Sequence, residues 1–174
     1  STLKLIKKLI FNIKKPLILD ADGLFPFKNS YKRLNERKFP LVITPHFGEL
    51  SSITGIETKI IESEFPEIMT SAMQSFNHTV LVKQVPSCTF NKKNVTINNS
   101  GNPGLAKAGS GDVLSGIIAS FIAQGMGIEE STKLAAFVHG KSSDIISFKK
   151  GFRGQNPSDL LDIIPRVIMN YENV

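Results

Sequence analysis

The sequence lacks tryptophan and contains only two tyrosines and one cysteine in 174 residues. The single cysteine, Cys88, cannot form an intramolecular disulfide, and no spacing of Cys or His around it predicts a metal site. No apolar run approaches the roughly 20 residues of a membrane-spanning helix, and the basic amphipathic start lacks the uninterrupted apolar centre of a signal peptide. We therefore expect a cytoplasmic protein without a membrane partner.

Lysine, by contrast, is abundant, and the formal net charge is +6. Binding to nucleic acid would require aromatic side chains interleaved with the basic surface, or a recognisable recognition helix. Most of the phenylalanines fall within apolar patterns instead. We expect no nucleic-acid partner, and we interpret the charge as a solvated face that attracts phosphates.

Residues 1–174, of which 41% are hydrophobic and 21% charged, have the composition of one soluble globular domain. Three short apolar runs, each preceded by a segment of helical or polar character, have the length and β-branched content of central parallel strands with helices on both faces. These runs are residues 17–19, 41–43 and 79–82. Such sheets bind ligands beyond the carboxyl ends of their strands, which brings Asp20, Thr44 and Lys83 to one edge.

The pattern changes after the third strand. Residues 88–90 and 95–97 flank a polar turn and predict an antiparallel β-hairpin. A loop rich in Gly and Asn follows over residues 98–111. Apolar residues then recur at a spacing of 3.6, which predicts a helix that ends near Gly125.

Further helices are predicted on both sides of this region. Residues 1–15 and 57–76 have helical patterns, and a long helix is expected over about residues 129–148. A last helix is predicted with Ser158 as its N-cap and with a kink or a break at Pro165.

The most informative stretch is the glycine-rich turn of residues 108–111, which Asp112 follows directly. Small residues before a helix let the backbone approach a ligand, and the unpaired N–H groups of residues 109–112 form an anion site together with the helix dipole. No Gly-Lys-Ser/Thr follows at the spacing of a Walker loop. Chemistry alone explains Asp112 equally well as a catalytic base and as a carboxylate that stabilises the helix start.

A glycine turn with Asp112 opening an apolar helix resembles the signature of ribokinase-like enzymes. Four segments together resemble, in order and spacing, the ADP/ATP-dependent NAD(P)H-hydrate dehydratases. They are Leu19-Asp20-Ala21-Asp22, Thr44-Pro45-His46-x-Gly48-Glu49, Gly101-Asn102-Pro103-Gly104-x-Ala106 and Gly109-x-Gly111-Asp112-Val113-Leu114-Ser115-Gly116-Ile117. The tail Pro157-Ser158-Asp159-Leu160 resembles that family's last helix. The resemblance covers nearly the whole chain and implies an α/β, ribokinase-like three-layer sandwich with a mostly parallel central sheet.

The resemblance also implies an activity, which is the repair of NADH or NADPH whose nicotinamide ring has become hydrated as the S epimer. The added hydroxyl is phosphorylated with ADP or ATP in the presence of Mg²⁺, phosphate leaves, and the dihydronicotinamide is restored. Hydroxide is a poor leaving group and phosphate a good one, so such chemistry needs mainly positioning, charge stabilisation and one base. The implied partners are the hydrated dinucleotide and ADP or ATP, and we expect a homo-oligomer.

Site residues carry over from the family position by position. Asp112 matches the catalytic base and a substrate contact, and His46 and Glu49 match further substrate contacts. The nucleotide-binding set is larger. It comprises Lys83, Gln84, Val85, Pro86, Ser87, Asn102, Gly109, Ser110 and Gly111. No metal-binding residue is assigned.

The chain departs from the family pattern at two places. The family follows the lysine with Gly-Ala-Gly-Thr, whereas Gln84-Val85-Pro86-Ser87 stands here and replaces flexible backbone donors with a proline and larger side chains. Family members also carry an earlier stretch with a Gly-Pro-Gly loop and several strands. We therefore expect a chain that is incomplete at its N-terminus, that leaves an uncovered hydrophobic edge at residues 17–19, and that has little activity alone.

Simpler roles compete at the remaining polar positions. His46 and Glu49 could cap a short helix, and Asp20 and Asp22 could cap a turn at a strand end. We expect the two aspartates to support magnesium or substrate. His139 lies in an apolar helical pattern, where a packed, hydrogen-bonded histidine is commoner than a ligand.

Two other functions use the same residues. A ribokinase-like kinase of a small alcohol, such as a vitamin precursor, would use Asp112 in the same way and keep its phosphorylated product. A nucleotide-binding module without catalysis would bind ADP without turnover.

Overall fold

The computed structural model describes residues 2–172, and Ser1, where the first predicted helix starts, lies outside them. The chain forms two compact units, which we describe separately. The strand unit is the chain up to Gln84 together with Cys88–Thr96, and the helical unit is Val85–Ser87 together with the chain from Ile97 onward.

The strand unit contains a mixed β-sheet. Its strands are β1 (Leu17–Leu19), β2 (Leu41–Ile43), β3 (Thr79–Val82), β4 (Cys88–Phe90) and β5 (Val95–Ile97). They lie in the order β1-β2-β3-β4-β5, with β1 at an edge. Strand β2 runs parallel to both β1 and β3, and β4 runs antiparallel to β3. The prediction of three adjacent parallel strands followed by antiparallel ones is confirmed.

Four helices belong to the strand unit. They are α1 (Thr2–Asn12), α2 (Phe47–Thr54), α3 (Thr58–Glu64) and α4 (Glu67–Met73), with 3-10 turns at Ala21–Phe27 and Tyr31–Glu36. The single helical stretch predicted over residues 57–76 is divided in two because Pro66 disfavours helical geometry in the residue before it. Phe65 is accordingly extended, with φ −77° and ψ 138°.

Arg37 anchors the end of α1 although nothing in the sequence pattern marks it. Its side chain donates hydrogen bonds to the carbonyl oxygens of Ile10, Ile13 and Lys15. The last carbonyls of a helix have no intrahelical donor, so this guanidinium satisfies acceptors that would otherwise need water. Only 4% of Arg37 is exposed, and burial lowers the pKa of its guanidinium from the ordinary value.

The core of the strand unit joins the sheet to its own helices. Ile43 and Val80 from the strands pack with Leu50, Ile61 and Met69 from α2, α3 and α4. All residues of β2 and β3 are buried, which agrees with their continuous apolar sequence. Cys88 is buried in the same cluster.

The helical unit consists of α5 (Ser110–Ala123), α6 (Ile128–Lys150) and α7 (Pro157–Glu172), preceded by a 3-10 turn at Pro103–Leu105. Helix α6 packs against both α5 and α7. The first two helices confirm the predicted ones within a few residues. No helix in the described part of the chain is both long and apolar enough to cross a membrane.

The start of α7 differs from the prediction. Ser158 is not its N-cap, because the helix begins at Pro157, whose fixed φ suits a first helical position. The carboxylate of Asp159 instead accepts a hydrogen bond of 2.9 Å from the N–H of Asn156. The helix continues through Pro165 to Glu172, so the predicted break does not occur.

Candidate functional site

In the strand unit, a charged cluster forms at the carboxyl ends of the parallel strands. Lys83 Nζ lies 2.5 Å from Asp20 Oδ1 and 3.7 Å from Glu49 Oε2. The backbone N–H of Lys83 donates to the carbonyl of Pro45 at 2.8 Å, which extends the β2–β3 pairing to the residues just after both strands. Asp20, Thr44 and Lys83 thus share the predicted edge, whereas Asp22 is exposed in the neighbouring 3-10 turn.

His46 caps the N-terminus of α2 through one of its two ring nitrogens. Its Nδ1 accepts hydrogen bonds from the N–H groups of Gly48 at 3.0 Å and Glu49 at 3.3 Å. Glu49 Oε2 accepts from the His46 N–H at 2.8 Å, which completes a reciprocal capping box. Nε2 lies 3.5 Å from Glu49 Oε1, and the imidazole is 58% exposed. The cap therefore orients the ring with Nε2 available to a ligand.

The charges of this cluster matter for what it can bind. One ammonium, on Lys83, faces two carboxylates, on Asp20 and Glu49, so one formal negative charge remains when His46 is neutral. All three charged side chains are about one-fifth exposed. A net negative cluster disfavours a bare phosphate and suits a hydroxyl, an amide or a cation.

The segment after Lys83 is Gln84-Val85-Pro86-Ser87. Val85 is half exposed, and the Val85–Pro86 peptide bond is cis. In the helical unit, the Ser87 carbonyl accepts from Asn98 N at 2.8 Å, and its hydroxyl accepts from Asn98 Nδ2 at 3.2 Å. The two hydrogen bonds from Asn98 thus fix Ser87, whereas the side chain of Val85 is accessible to solvent.

In the helical unit, the glycine turn has the backbone geometry that the sequence predicts. Gly109 has φ 90°, which a residue with a side chain adopts only with strain, and α5 begins at the next residue. The Ser110 N–H closes the turn by donating to the Lys107 carbonyl at 3.1 Å, and the Val113 N–H donates to the Gly109 carbonyl at 3.2 Å.

This leaves the N–H groups of Gly111 and Asp112 without an acceptor among the described residues. They stand in the first turn of a 14-residue helix, where the helix dipole favours an anion. Asp112 is exposed in that same turn. Of the N–H groups predicted to form the anion site over residues 109–112, those of Gly111 and Asp112 therefore remain available. The carboxylate of Asp112 belongs to the same helical turn.

Asn102 organises the loop before the turn. Its Oδ1 accepts hydrogen bonds from Gly104 N at 2.9 Å and Gln155 Nε2 at 3.1 Å, and its Nδ2 donates to Asp144 Oδ1 at 2.9 Å. Only 6% of Asn102 is exposed. Its side chain is thus engaged by the protein, and its predicted nucleotide contact stays a prediction.

A cavity of about 580 Å³ opens in the helical unit beside this loop. Its lining includes three cationic side chains, those of Lys107, Lys150 and Arg153, and the ring of Phe152. Lys107 Nζ donates to the carbonyls of Arg153 and Gln155, and Lys150 Nζ lies 2.7 Å from Asp159 Oδ1. The region that leads into the turn therefore carries a basic environment. Within residues 2–172, no group of three or more His, Cys, Asp or Glu side chains is placed to hold a metal ion.

Known proteins carry the same pattern. Residues 1–166 match the family described as NAD(P)H-hydrate dehydratase. The chain belongs to this family. It is 34% identical over 168 residues to a bifunctional NAD(P)H-hydrate repair enzyme of Thermofilum pendens, which covers 96% of the chain and 32% of that protein. It is 33% identical over 140 residues to the ADP-dependent (S)-NAD(P)H-hydrate dehydratase of Neisseria meningitidis, covering 79% of the chain and 47% of that protein.

Solved structures have a fold similar to that of this chain. The Bacillus subtilis ADP/ATP-dependent NAD(P)H-hydrate dehydratase, co-crystallised with ATP and Mg²⁺, has a TM-score of 0.85 at 24% identity over 95% of this chain and 58% of its own. A ribokinase-like superfamily protein of Enterococcus faecalis has a TM-score of 0.79 at 23% identity, over 97% and 58% of the two chains. The predicted ribokinase-like α/β fold is confirmed. The chain spans about a third of the length of most curated family members it matches.

The structure thus gathers the predicted residues into two groups. Asp20, His46, Glu49 and Lys83 meet in the strand unit, and Asn102 and residues 109–112 belong to the helical unit. Asp144 and Gln155, which hold the loop through Gly101 and Asn102, were not predicted as site residues. Asp144 lies four residues after Gly140 in a helix with an apolar pattern, and that spacing was a usable signal for a polar residue on the packed face.

Proposed function

We propose that the chain takes part in nucleotide-dependent dehydration of hydrated NADH or NADPH, in the S configuration, by phosphorylation of the hydrate hydroxyl and loss of phosphate. The observation that carries this proposal is the turn at Gly109, with two unpaired N–H donors and Asp112 in the first helical turn, in a member of the NAD(P)H-hydrate dehydratase family. The donors suit an anion, and the carboxylate suits a proton acceptor.

Each group has a defined task in this reaction. The Asp112 carboxylate accepts the proton of the hydrate hydroxyl as that oxygen attacks the terminal phosphorus of ADP or ATP. The bond from this phosphorus to its bridging oxygen breaks, and AMP or ADP leaves. The N–H groups of Gly111 and Asp112 stabilise negative charge on the transferring phosphoryl group. The phosphate ester then breaks at its carbon–oxygen bond as the ring nitrogen donates its electron pair. Loss of a proton from the neighbouring ring carbon restores the dihydronicotinamide.

The strand-unit cluster supports the substrate side of the proposal. We assign His46 Nε2 as a donor to a polar group of the hydrated dinucleotide, since Nδ1 is engaged in the helix cap. The Gly48 and Glu49 N–H groups fix that ring through Nδ1, and Lys83 is paired with both Asp20 and Glu49. The net negative charge of this cluster makes it better suited to the nicotinamide hydrate than to phosphate.

Nucleotide contacts are assigned to residues 83–87, Asn102 and residues 109–111 as in the family. Mg²⁺ neutralises charge on the phosphates when it is bound. It commonly takes one or two protein carboxylates and keeps several waters, so it needs no dedicated protein cage. Within the strand unit, Asp20 is the carboxylate proposed for such a supporting role.

The proposal is tested with the complete gene product incubated with the S epimer of the NADH hydrate, Mg²⁺ and either ADP or ATP. We expect recovery of NADH absorbance that depends on nucleotide, with release of one phosphate per NADH. A matched reaction without nucleotide should show none. Phosphorylation of a small alcohol without NADH recovery would favour the kinase alternative, and nucleotide binding without any turnover would favour the non-catalytic module.

A further inference from the structure

One face of α6 supports the loop that leads into the glycine turn of residues 108–111. Asn98 Nδ2 donates to the Ala136 carbonyl at 3.1 Å, and Ser100 Oγ donates to the Phe137 carbonyl at 2.9 Å. About two turns further, Asp144 Oδ2 accepts from the Gly101 N–H at 2.9 Å. Residues spaced by three, four and seven positions share a helix face, so a single surface of α6 holds residues 98–102.

Gly140 lies in the middle of that face and permits the close approach. A Cβ atom added to Gly140 would lie 2.6 Å from both the carbonyl carbon and oxygen of Ser100 and 2.4 Å from its hydroxyl oxygen. Backbone atoms cannot be moved aside as a flexible side chain can. The loop is therefore seated directly on the helix backbone at this point.

His139 precedes Gly140 and is directed at the turn itself. Its Nε2 lies 3.2 Å from Ser110 Oγ, and the ring also hydrogen-bonds to the Ser110 backbone. Both residues are buried, with 6% of His139 and 4% of Ser110 exposed. Burial lowers the pKa of His139 to about 4, so the ring is neutral near pH 7. Ser110 stands between Gly109 and the two unpaired donors, so a contact that fixes Ser110 also fixes their direction.

We propose that His139 is a positioning residue for phosphoryl transfer, holding Ser110 so that the Gly111 and Asp112 N–H groups and the Asp112 carboxylate keep the orientation that nucleotide binding and catalysis require. The inference rests on the proposed function, and it adds a buried residue that touches neither substrate nor nucleotide. A displacement of about 1 Å at reacting groups costs on the order of 10²-fold in rate, which is the scale on which such a contact acts.

The test compares four variants of the complete gene product by nucleotide dissociation constant and by kcat/KM for hydrate repair. We expect His139→Leu, which keeps bulk but loses the hydrogen bond, to weaken ADP binding and lower kcat/KM by roughly 10- to 100-fold. His139→Gln places an amide N–H near the position of Nε2 and should restore both to within about threefold of wild type. Ser110→Ala should match His139→Leu, and the double variant should be no worse than either single one.

Ile146→Ala is the matched control, because Ile146 is similarly buried on α6 and its side chain has no hydrogen-bonding group. It should lower the melting temperature while leaving the ADP dissociation constant within about twofold. The proposal is overturned if this control weakens ADP binding as much as His139→Leu, if Gln fails to rescue a folded protein, or if the Ser110 and His139 effects simply add.

The two proposals fail in different ways. A wild type that binds ADP or ATP but repairs no hydrate rejects the proposed function, and the dissociation constants of the variants still decide the role of His139. A wild type that binds neither nucleotide rejects both.

Discussion

At the scale of single residues, most of the polar side chains expected to bind ligands are already engaged by the protein. Asn102 is hydrogen-bonded to Gly104, Gln155 and Asp144, and Lys83 is paired with two carboxylates. The groups left for ligands are His46 Nε2, Asp112 and two backbone N–H donors. A histidine can thus be both a helix cap and a substrate contact, because its two nitrogens serve different partners.

The buried imidazole of His139 should make stability depend on pH. Its pKa in the folded state is about 4, below the usual 6.5. Burial lowers the pKa, and the hydrogen bond with the Ser110 backbone offsets this only in part. Between these values the unfolded chain binds a proton that the folded chain does not, so the free energy of unfolding decreases as the pH falls from 6.5 to 4. The full effect is roughly 3 kcal/mol.

Urea unfolding of wild type and His139→Gln across this range measures it. The difference in unfolding free energy between the two proteins should change by a large part of that amount, and it should be constant above about pH 7.5. Parallel pH profiles for the two proteins would show that His139 is not buried as a neutral ring.

At the scale of elements, the space available for a Cβ atom at a glycine differs between two helices. Gly140 in α6 faces the Ser100 backbone, whereas a Cβ atom on Gly116 in α5 would meet nothing within 4 Å. The same substitution should therefore have opposite signs at the two positions. Gly116→Ala provides an internal control for the intrinsic helix propensity of alanine.

Gly140→Ala should lower the free energy of unfolding by roughly 1 to 3 kcal/mol through overpacking. Gly116→Ala should raise it by about 0.5 to 1 kcal/mol, because an exposed helical position gains when glycine is removed. Chemical denaturation of both variants decides the question. Equal effects at the two sites would mean that residues 98–101 do not lie on α6.

Local patterns predicted the elements better than their ends. The three parallel strands and α5 follow from short apolar runs and from 3.6-residue periodicity, and the structure confirms them. The division at Pro66 and the start of α7 at Pro157 were missed, since both depend on how one proline constrains its neighbours.

At the scale of the whole molecule, the sequence predicted where the candidate site residues lie but not what holds them in place. The glycine turn with Asp112, and His46, lie in contiguous segments whose local pattern can be recognised. The contacts that hold them join residues far apart in the chain, such as Asn102 to Asp144 and Gln155, 42 and 53 positions away. For Lys83 and Asp20, 63 positions apart, the strand pattern predicted a shared edge but not their ion pair. Such pairings arise from tertiary packing, which propensity and periodicity do not encode.

The central claim is that Asp112 is the base of a phosphoryl transfer supported by the turn at Gly109, and Asp112→Asn tests it most directly. Asparagine ranks with aspartate at helix starts, so the fold should be kept while the proton acceptor is lost. We predict a fall in hydrate repair of roughly 10²- to 10⁴-fold, with the dissociation constant for ADP or ATP unchanged or lower, because the backbone donors remain and a negative charge is removed. Near-normal turnover by a folded Asp112→Asn protein would contradict the account.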